Sequence, residues 1–343
     1  LPHAAGDTGH MPGTQFDVVA IGNAIVDIIG RCDDSFLDRH GAPKGHMNLV
    51  DTDRIDALYK AMGPAIEISG GSAANTVVGV ASLGGRAAFI GKVSEDEFGR
   101  IFRHDIGASG VTFNTPAVAD SARATSRSLI LVTPDGQRTM NTFLGISTDL
   151  DQGEVDPEVI RNSNIVYLEG YLFDRDEAKA AFRQAVEIAN DAGRRVALTL
   201  SDSFCVNRHR DEFLALIRSG IGILFANESE ILALYETASF DEAMRHVARD
   251  TRLAVLTRSE KGSVIVSEGT PILISAEPVA KVVDTTGAGD LYAAGFLYGL
   301  ARGMDLKAAG QLGSFAAAEI IGQMGARPEV KLSHLARMRG FIA

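Results

Sequence analysis

The stretch KVVDTTGAGDLYAAGF, residues 281–296, decides how the rest of the chain is interpreted. Val282 and Val283 predict the end of a strand, and the apolar pattern that follows predicts a helix beginning near Gly289. The first turn of a helix presents unpaired backbone N–H groups and partial positive charge, so it binds anions. Glycine lets an anion approach the backbone because it has no Cβ. The stretch therefore predicts a strand-to-helix turn that binds an anion.

Asp290 would lie in the first turn of that helix. Alone, an aspartate there favours a structural interpretation, because it complements the helix dipole. In a phosphoryl-transfer enzyme it would instead take the proton of a substrate hydroxyl, while the N–H groups of Gly287, Ala288, Gly289 and Asp290 hold the transferred phosphoryl. The helix N-terminus should keep this carboxylate ionised at pH 7.

The composition narrows the class of protein. The chain has 343 residues, a net charge of −11 and no cluster of Lys or Arg, so a nucleic-acid partner is not expected. No apolar run approaches the roughly 18 residues of a membrane span. The two cysteines, Cys32 and Cys205, form no CxxC motif, which favours a reducing compartment; we expect a cytoplasmic protein. Residues 1–15 are expected to be a flexible extension without a signal-peptide layout, and Met11 is a candidate native start, which leaves open whether residues 1–10 are native.

Apolar runs alternate with helical patterns along most of the chain. This alternation predicts a doubly wound, mostly parallel α/β sheet with helices on both faces. Two segments depart from it, with short β-like pieces around turns such as Pro134-Asp135-Gly136, and they predict a small β-rich lid. The expected core is residues 16–27, 67–117 and 147–343, and the expected lid is residues 28–66 and 118–146. The predicted strands are residues 16–22, 87–91, 164–168, 195–200, 222–226, 253–257 and 263–267, and the clearest predicted helices are residues 176–193 and 228–238.

A second glycine-rich segment gives the C-terminal stretch its context. Residues 69–99 read SGGSAANTVVGVASLGGRAAFIGKVSEDEFG, and DTTGAGD follows in the second half of the chain. Together the two segments resemble the signatures of the PfkB, or ribokinase-like, carbohydrate kinases, and the resemblance extends from about residue 16 to the end. It implies an α/β core with a β lid and transfer of the γ-phosphoryl of ATP to an alcohol. Asp290 would be the base, and Gly287, Ala288 and Gly289 the anion hole.

The resemblance also implies metal sites. Asn227 and Glu230 match an N-x-x-E motif that would hold Mg²⁺, its water or a phosphate; the same pair could form a capping box. Asp284 and Thr286, with the backbone near Gly325, would coordinate a monovalent cation such as K⁺. The alternative for Asp284 is a set of ordinary turn hydrogen bonds.

ATP would be held without a Walker A loop, because no GxxxxGK[ST] occurs. Thr257 and Gly262 resemble the strand-turn-strand beside the nucleotide, and residues 314–322 would flank the adenine. Arg138 follows the lid turn, where family members place an arginine near the phosphates. An exposed hairpin arginine is an equally good interpretation.

The acceptor site should lie at the ends of the first strands. Asn23 and Asp27 in GNAIVD, Gly70, Gly71 and Asn75 would hold the hydroxyls of a sugar, since a carboxylate accepts two hydroxyl hydrogens. Helix capping by Asn75 and a turn at Asp27 are the structural alternatives.

The GN-x-x-x-D opening is similar to that of adenosine kinases within the family. Tyr171 and Phe204 could stack on a purine, and Phe143 could add a lid wall, although apolar packing explains each one singly. The expected partner is a small-molecule nucleoside or sugar, bound by a monomer or homodimer. Ribose, fructose or a keto-sugar acid remains the alternative, with Arg123 or Arg127 supplying a cation for an acid. A non-catalytic binding protein is disfavoured by the intact Asp290 and its glycines.

Overall fold

The structure is a computed structural model that describes residues 13–343. The expectations for residues 1–12 therefore lie outside the described part. Within the rest of the predicted extension, Thr14 is buried and the N–H of Gln15 donates to the carbonyl of Asn162 at 2.8 Å. The strands, numbered along the chain, are β1 Phe16–Ile21, β2 Ile25–Arg31, β3 Met47–Leu49, β4 Ala65–Gly70, β5 Ala87–Ile90, β6 Val111–Thr112, β7 Ser126–Val132, β8 Arg138–Phe143, β9 Ser163–Glu169, β10 Arg195–Thr199, β11 Ile223–Asn227, β12 Leu253–Thr257, β13 Ser263–Ser267 and β14 Thr270–Ile274.

Nine of these strands form one large sheet, in the order β14-β13-β12-β11-β10-β9-β1-β5-β6. From β6 to β12 all neighbours are parallel, and β13 and β14 add two antiparallel strands at the edge. Strand β1 is buried at every position because it lies between β5 and β9 with helices on both sides. The prediction of a mostly parallel α/β sheet is confirmed.

Alternate residues of β1 face two separate hydrophobic clusters, as the two-residue period of a strand requires. Val18 belongs to a cluster with Leu291 and Phe315, whereas Val19 belongs to a cluster with Phe182. Helices therefore cover both faces, as predicted. The helices are α1 Asp34–Arg39, α2 Thr52–Ala61, α3 Ser72–Ser82, α4 Glu97–Ala108, α5 Pro157–Arg161, α6 Asp176–Asp191, α7 Ser203–Gly220, α8 Glu228–Leu234, α9 Phe240–Asp250, α10 Ala288–Ala301, α11 Leu306–Ile321 and α12 Leu332–Met338.

A second, five-stranded sheet has the order β3-β8-β7-β2-β4. A smaller β unit is present as expected, and most of its residues come from the two segments that depart from the α/β alternation. Its bounds are wider than predicted, because β2 begins at Ile25 and β4 ends at Gly70, both inside the expected core. Helices α1 and α2 also lie in the first segment, where only β pieces were predicted. The missed signals are their caps, because Asp33 accepts from the N–H of Phe36 at 2.7 Å and Asp51 from that of Arg54 at 2.8 Å.

The strand predicted at Val282 and Val283 is wrong. Both side chains are exposed, at 59% and 42%, and neither residue lies in a strand. The N–H of Val283 donates to the carbonyl of Ile321 at 2.8 Å, so this segment bonds to the end of α11 and not to a neighbouring strand. The turn before α10 is thus held by a helix end. No helix among residues 13–343 has the length and apolar content that crossing a bilayer requires.

Candidate active site

Helix α10 begins at Ala288, directly after Gly287, which has a φ of +79°. A Cβ at Gly287 would lie 2.6 Å from the Cβ of Ala326, so both the backbone and the neighbour require glycine. A Cβ at Gly289 would meet no atom within 4 Å, and this residue is exposed. The two glycines differ: Gly287 fits against the protein and Gly289 faces open space.

The N–H groups of this turn are only partly used by the protein. Ala288 donates to the carbonyl of Thr285 at 3.2 Å, and Leu291 donates to that of Gly287 at 2.8 Å. Within residues 13–343, no hydrogen-bond acceptor faces the N–H of Gly289 or Asp290. Two unpaired donors at a helix start beside open space are the arrangement that binds phosphate.

Asp290 is held by side chains from the other end of the chain. The hydroxyl of Ser72 donates to its Oδ1 at 2.6 Å, and the amide of Asn75 donates to its Oδ2 at 3.0 Å. Burial raises the pKa of Asp290, whereas these two bonds and the charge of Arg327 lower it. The expectation from the helix dipole alone left out this burial. Asn75 is 5% exposed, and its own Oδ1 has no partner among the described residues.

The glycine pair at the start of α3 brings the predicted sugar-binding residues close. A Cβ on Gly70 would overlap the carboxylate of Asp27, and a Cβ on Gly71 would overlap the carbonyl of Asn23. Burial raises the pKa of Asp27 to about 7, against the lowering effects of Arg327 and Arg138. The structure therefore places Asp27, Gly70 and Gly71 together beside the segment that holds Asp290.

Asn23 is 3% exposed, and its side chain is engaged inside the protein. Its amide donates to Glu169 at 2.6 Å, and its oxygen accepts from the hydroxyl of Ser147 at 2.8 Å. Glu169 also accepts from the N–H of Ala73 at 2.8 Å, and burial raises its pKa to about 7. A contact between Asn23 and the substrate stays a prediction. It would require one of these hydrogen bonds to break.

The three predicted aromatic contacts have different surroundings. Tyr171 is 39% exposed and Phe204 is 73% exposed. Burial of the Tyr171 phenol, and after it the nearby carboxylates of Asp202 and Asp290, raise its pKa. Phe143 is 8% exposed, with its ring 5.5 Å from the guanidinium carbon of Arg127. Two aromatic rings are therefore available to a ligand, and the third supports the small sheet.

Asn227 and Glu230 form the capping box that the sequence left open as their structural role. Asn227 accepts from the N–H of Glu230 at 2.9 Å, and Glu230 accepts from the N–H and amide of Asn227 at 2.9 and 2.6 Å. Glu230 is 5% exposed, and burial together with nearby Asp202 and Asp290 raises its pKa to about 7. The charge of Asp290 thus acts on Glu230, although both oxygens of Glu230 accept hydrogen bonds from Asn227.

Of the other nucleotide-side predictions, Thr257 and Gly262 lie on the β12–β13 hairpin, and residues 314–322 lie at the end of α11. Thr257 ends β12 and pairs with Ser263 of β13. Gly262 has a φ of +82°, and a Cβ there would overlap the carbonyl of Ile274. Glycine at this position is required by the hairpin itself.

Asp284 is 8% exposed and fully engaged. It accepts from the N–H and hydroxyl of Thr286 at 3.1 and 2.8 Å and from the N–H of Gly325 at 2.8 Å. Its Oδ2 also lies 2.8 Å from Nη2 of Arg138, which reaches it from β8. Nη1 of Arg138 is buried and has no partner within the described chain. A monovalent cation at Asp284 would compete with this guanidinium.

The side chains fit a magnesium site of low ligand number. Across residues 13–343, no three His, Cys, Asp or Glu side chains are grouped to hold a metal ion. Mg²⁺ commonly keeps several waters and binds through one or two carboxylates and substrate phosphates. Glu230, on which the charge of Asp290 acts, would be one such carboxylate.

Three residues near the site were missed by the sequence analysis. Ser72 lies between two residues that were selected, and Glu169 ends an apolar strand with a charge, which is itself a signal. Arg327 gave no signal, because it follows α11 in an irregular segment.

Residues 66–331 match the family model described as pfkB family carbohydrate kinase. This chain belongs to the PfkB family. It is a ribokinase-like kinase that acts on a hydroxyl group, as the sequence resemblance implied.

Solved structures similar to this PfkB kinase include two with nearly full coverage. One, from Sinorhizobium meliloti, is named adenosine kinase; it is 54% identical, with a TM-score of 0.87, over 95% of this chain and 99% of that one. The other, from Rhizobium etli CFN 42, is named probable sugar kinase; it is 49% identical, with a TM-score of 0.88, over 96% of this chain and all of that one. An ATP-dependent ribose-1-phosphate kinase of Halopiger xanaduensis is 30% identical over 294 residues, 82% of this chain and 92% of that protein. The PfkB kinase thus acts on a sugar or nucleoside, and these relatives differ in which one they are named for.

Proposed function

We propose that this kinase transfers the γ-phosphoryl of ATP to the hydroxymethyl group of adenosine, forming AMP and ADP. The observation that carries the reaction is Asp290, which is fixed by Ser72 and Asn75 next to the unpaired N–H groups at the start of α10. The choice of adenosine is supported by the exposed rings of Tyr171 and Phe204 and by the 54% identity with a protein named adenosine kinase.

In the proposed mechanism, Asp290 accepts the proton of the substrate hydroxyl as that oxygen bonds to phosphorus. The bond between phosphorus and the bridging oxygen breaks, and ADP leaves. The N–H groups of Gly289 and Asp290 stabilise the charge that spreads over the transferred phosphoryl, because a dry site strengthens such bonds. Gly287 and Ala288 shape this turn. Arg138, with Nη1 unpaired, adds positive charge from the small sheet.

Asp27 is proposed to accept two hydroxyl hydrogens of the ribosyl ring, with Gly70, Gly71 and Asn75 beside it. Asn23 would assist through the network that it shares with Glu169. Phe143 would support the lid wall. We propose that residues 28–66 and 118–146 form the lid and close over the acceptor, which excludes water from the reaction.

Thr257 and Gly262 are proposed to contact the nucleotide at the β12–β13 hairpin. Glu230 and Asn227 would hold Mg²⁺ through water or directly. When bound, Mg²⁺ neutralises phosphate charge during transfer. Asp284 and Thr286 stay the proposed ligands of K⁺, which would share Asp284 with Arg138.

A sugar is the second candidate acceptor, because the relatives include a ribose-1-phosphate kinase and a Salmonella typhimurium fructokinase. A keto-sugar acid would need a cation in the site. Arg123 pairs with Asp149 at 2.6 Å and Arg127 with Asp56 at 2.8 Å, while Nε of Arg127 is buried without a partner among the described residues.

The test is an ADP-release screen with adenosine, other nucleosides, ribose and fructose as acceptors. We expect the highest kcat/KM with adenosine and little ADP release without acceptor. Highest turnover with a free sugar would replace adenosine by the second candidate. Absence of turnover with every acceptor would contradict the proposed reaction.

A further inference from the structure

The segment that follows α11 contacts both the turn before α10 and the glycine-rich segment at the start of α3. Gly325 donates its N–H to Asp284 at 2.8 Å, and Ala326 packs on Gly287. The next residue, Arg327, turns towards the start of α3. Three consecutive residues therefore connect the turn before α10 with the glycine-rich segment, although Arg327 lies 258 residues from Ser69 and 253 from Ala74 in sequence.

The guanidinium of Arg327 donates a fork of hydrogen bonds to the backbone on either side of the glycine pair Gly70-Gly71. Nε donates to the carbonyl of Ser69 at 2.8 Å, Nη1 to the carbonyl of Ala74 at 3.0 Å, and Nη2 to the hydroxyl and carbonyl of Ser69, the former at 3.0 Å. Ser69 is anchored in turn, because its N–H and hydroxyl donate to Asp105 at 2.7 and 2.5 Å. The residues between these contact points include Ser72, which donates to Asp290.

Arg327 also carries charge into the site. Burial lowers its pKa to about 10, while Asp105, Asp27 and Asp290 act to raise it. It therefore stays protonated at pH 7. Its charge in turn opposes the burial that raises the pKa of Asp27 and Asp290. A buried acid needs such a neighbour to remain ionised.

We propose that Arg327 is a positioning residue for the kinase reaction: it clamps the first turn of α3 beside Asp290 and places a fixed positive charge next to Asp27 and Asp290. The planar fork matters because a lysine ammonium cannot reach the same set of carbonyl groups in one geometry. This inference rests on the proposed function in one respect, the role of Asp290 as the base.

Other groups also act on these two carboxyls, and the test has to separate them from Arg327. The charge of Asp290 raises the pKa of Asp27, and Arg138 is a second cation that lowers it. The titratable and charged groups that face Asp27 or Asp290 are Asp27, Arg138, Tyr167, Glu169, Tyr171, Glu230, Asp290 and Arg327.

The direct test is a carboxyl titration by ¹³C NMR of the substrate-free full chain labelled at aspartate Cγ. The signals of Asp27 and Asp290 are assigned with D27N and D290N. We expect R327Q to raise the pKa of both carboxyls by about 1 unit, the lower end of the effect of a nearby opposite charge. R327K should give a smaller rise, because it keeps the charge and loses the fork.

The matched control is Arg86→Gln. Arg86 donates to the carbonyl of Thr14 at 2.7 Å and pairs with Asp17 at 2.8 Å, near the starts of β1 and β5. It should leave both titrations unchanged. Unchanged titrations in R327Q, or a shift in R327K as large as in R327Q, would overturn the inference. If R327Q does not fold, R327K decides alone: a small rise supports the inference and no rise overturns it.

Turnover gives a second readout. The kcat of R327Q should fall because the clamp on α3 is lost, and the loss should be larger at pH 7 than at pH 9, where a base of raised pKa is more fully ionised. An equal loss at both pH values would show that the charge of Arg327 does not act on the base and would overturn the inference. A wild-type protein without turnover would remove the proposed function and leave the NMR titration as the deciding test.

Discussion

Helices α8 and α10 of this PfkB kinase each carry a candidate functional acid in the first turn, and the two acids have different surroundings. Glu230 in α8 closes on the N–H and amide of Asn227, three residues away. Asp290 in α10 is held by Ser72 and Asn75, which lie 218 and 215 residues away. One carboxylate completes its own helix, whereas the other is positioned by a distant segment beside open N–H groups. The comparison teaches that a first-turn acid becomes a candidate catalyst through its long-range partners.

The largest effect should come from removing the base. D290N should lower kcat by about 10³-fold, within the usual range for general-base catalysis, and leave adenosine binding nearly unchanged. Turnover and calorimetric binding measure the two quantities. The control is Asp305→Asn, which changes a helix-capping aspartate at the start of α11. Preserved turnover in D290N would show that the long-range partners of Asp290 do not make it a catalyst, and would contradict the difference proposed between the two acids.

Alanine substitutions at the two glycines of the α10 turn should have different effects, because one should lower activity and the other should lower the free energy of unfolding. G289A should fold normally, because a Cβ meets no atom there, and should lower kcat about 10-fold or more by obstructing the phosphoryl. G287A should cost about 1–2 kcal/mol or more of folding free energy, because its φ is positive and Ala326 is close. Urea denaturation and turnover distinguish them. A G289A protein with full activity would show that no phosphoryl approaches this backbone.

Variants of Glu230 test whether the capping box also serves the metal. E230Q keeps a capping-box side chain, so its stability should change little while its Mg²⁺ requirement rises several-fold. E230A should show the same Mg²⁺ effect and also lose about 0.5–2 kcal/mol of folding free energy. Mg²⁺ titration of turnover and urea denaturation measure these effects. An unchanged Mg²⁺ requirement in both variants would leave Glu230 with its structural role only.

The last prediction concerns how the free energy of unfolding depends on pH. Burial raises the pKa of Asp27, Glu169 and Glu230 to about 7, above their unfolded values near 4. Between these values the folded state holds more protons, so the free energy of unfolding should fall as pH rises from 4 towards 7. We expect a loss of roughly 1–3 kcal/mol from pH 5 to pH 8 by urea denaturation, smaller in D27N than in the control D51N. A rise over this range would contradict the burial of these acids as the governing effect.

Much of the fold could be predicted because buried parallel strands appear as short apolar runs. Strands β12 and β13 have the predicted bounds, and helix α6 ends two residues before its predicted end. The run at Val282 and Val283 failed because two apolar residues do not reveal whether a strand or a helix end will bond to them. Helices α1 and α2 were missed because their aspartate caps were overlooked.

The site was predictable only where local sequence carries the chemistry. The turn before α10 and the glycine pair Gly70-Gly71 could be found from glycine and acid spacing. The network of Asn23 with Glu169 and the fork of Arg327 could not, because each depends on contacts across more than 140 residues. Whether Asn227 and Glu230 cap a helix or hold a metal also depends on burial, which their spacing does not reveal.

The most direct test of the account is a crystal structure of this kinase with adenosine and a non-hydrolysable ATP analogue. We predict that the adenosine hydroxymethyl oxygen lies about 2.6–3.2 Å from the carboxylate of Asp290, as a general base requires. The γ-phosphate should accept from the N–H groups of Gly289 and Asp290. A terminal phosphate bound away from the start of α10, or an acceptor hydroxyl out of reach of Asp290, would contradict it.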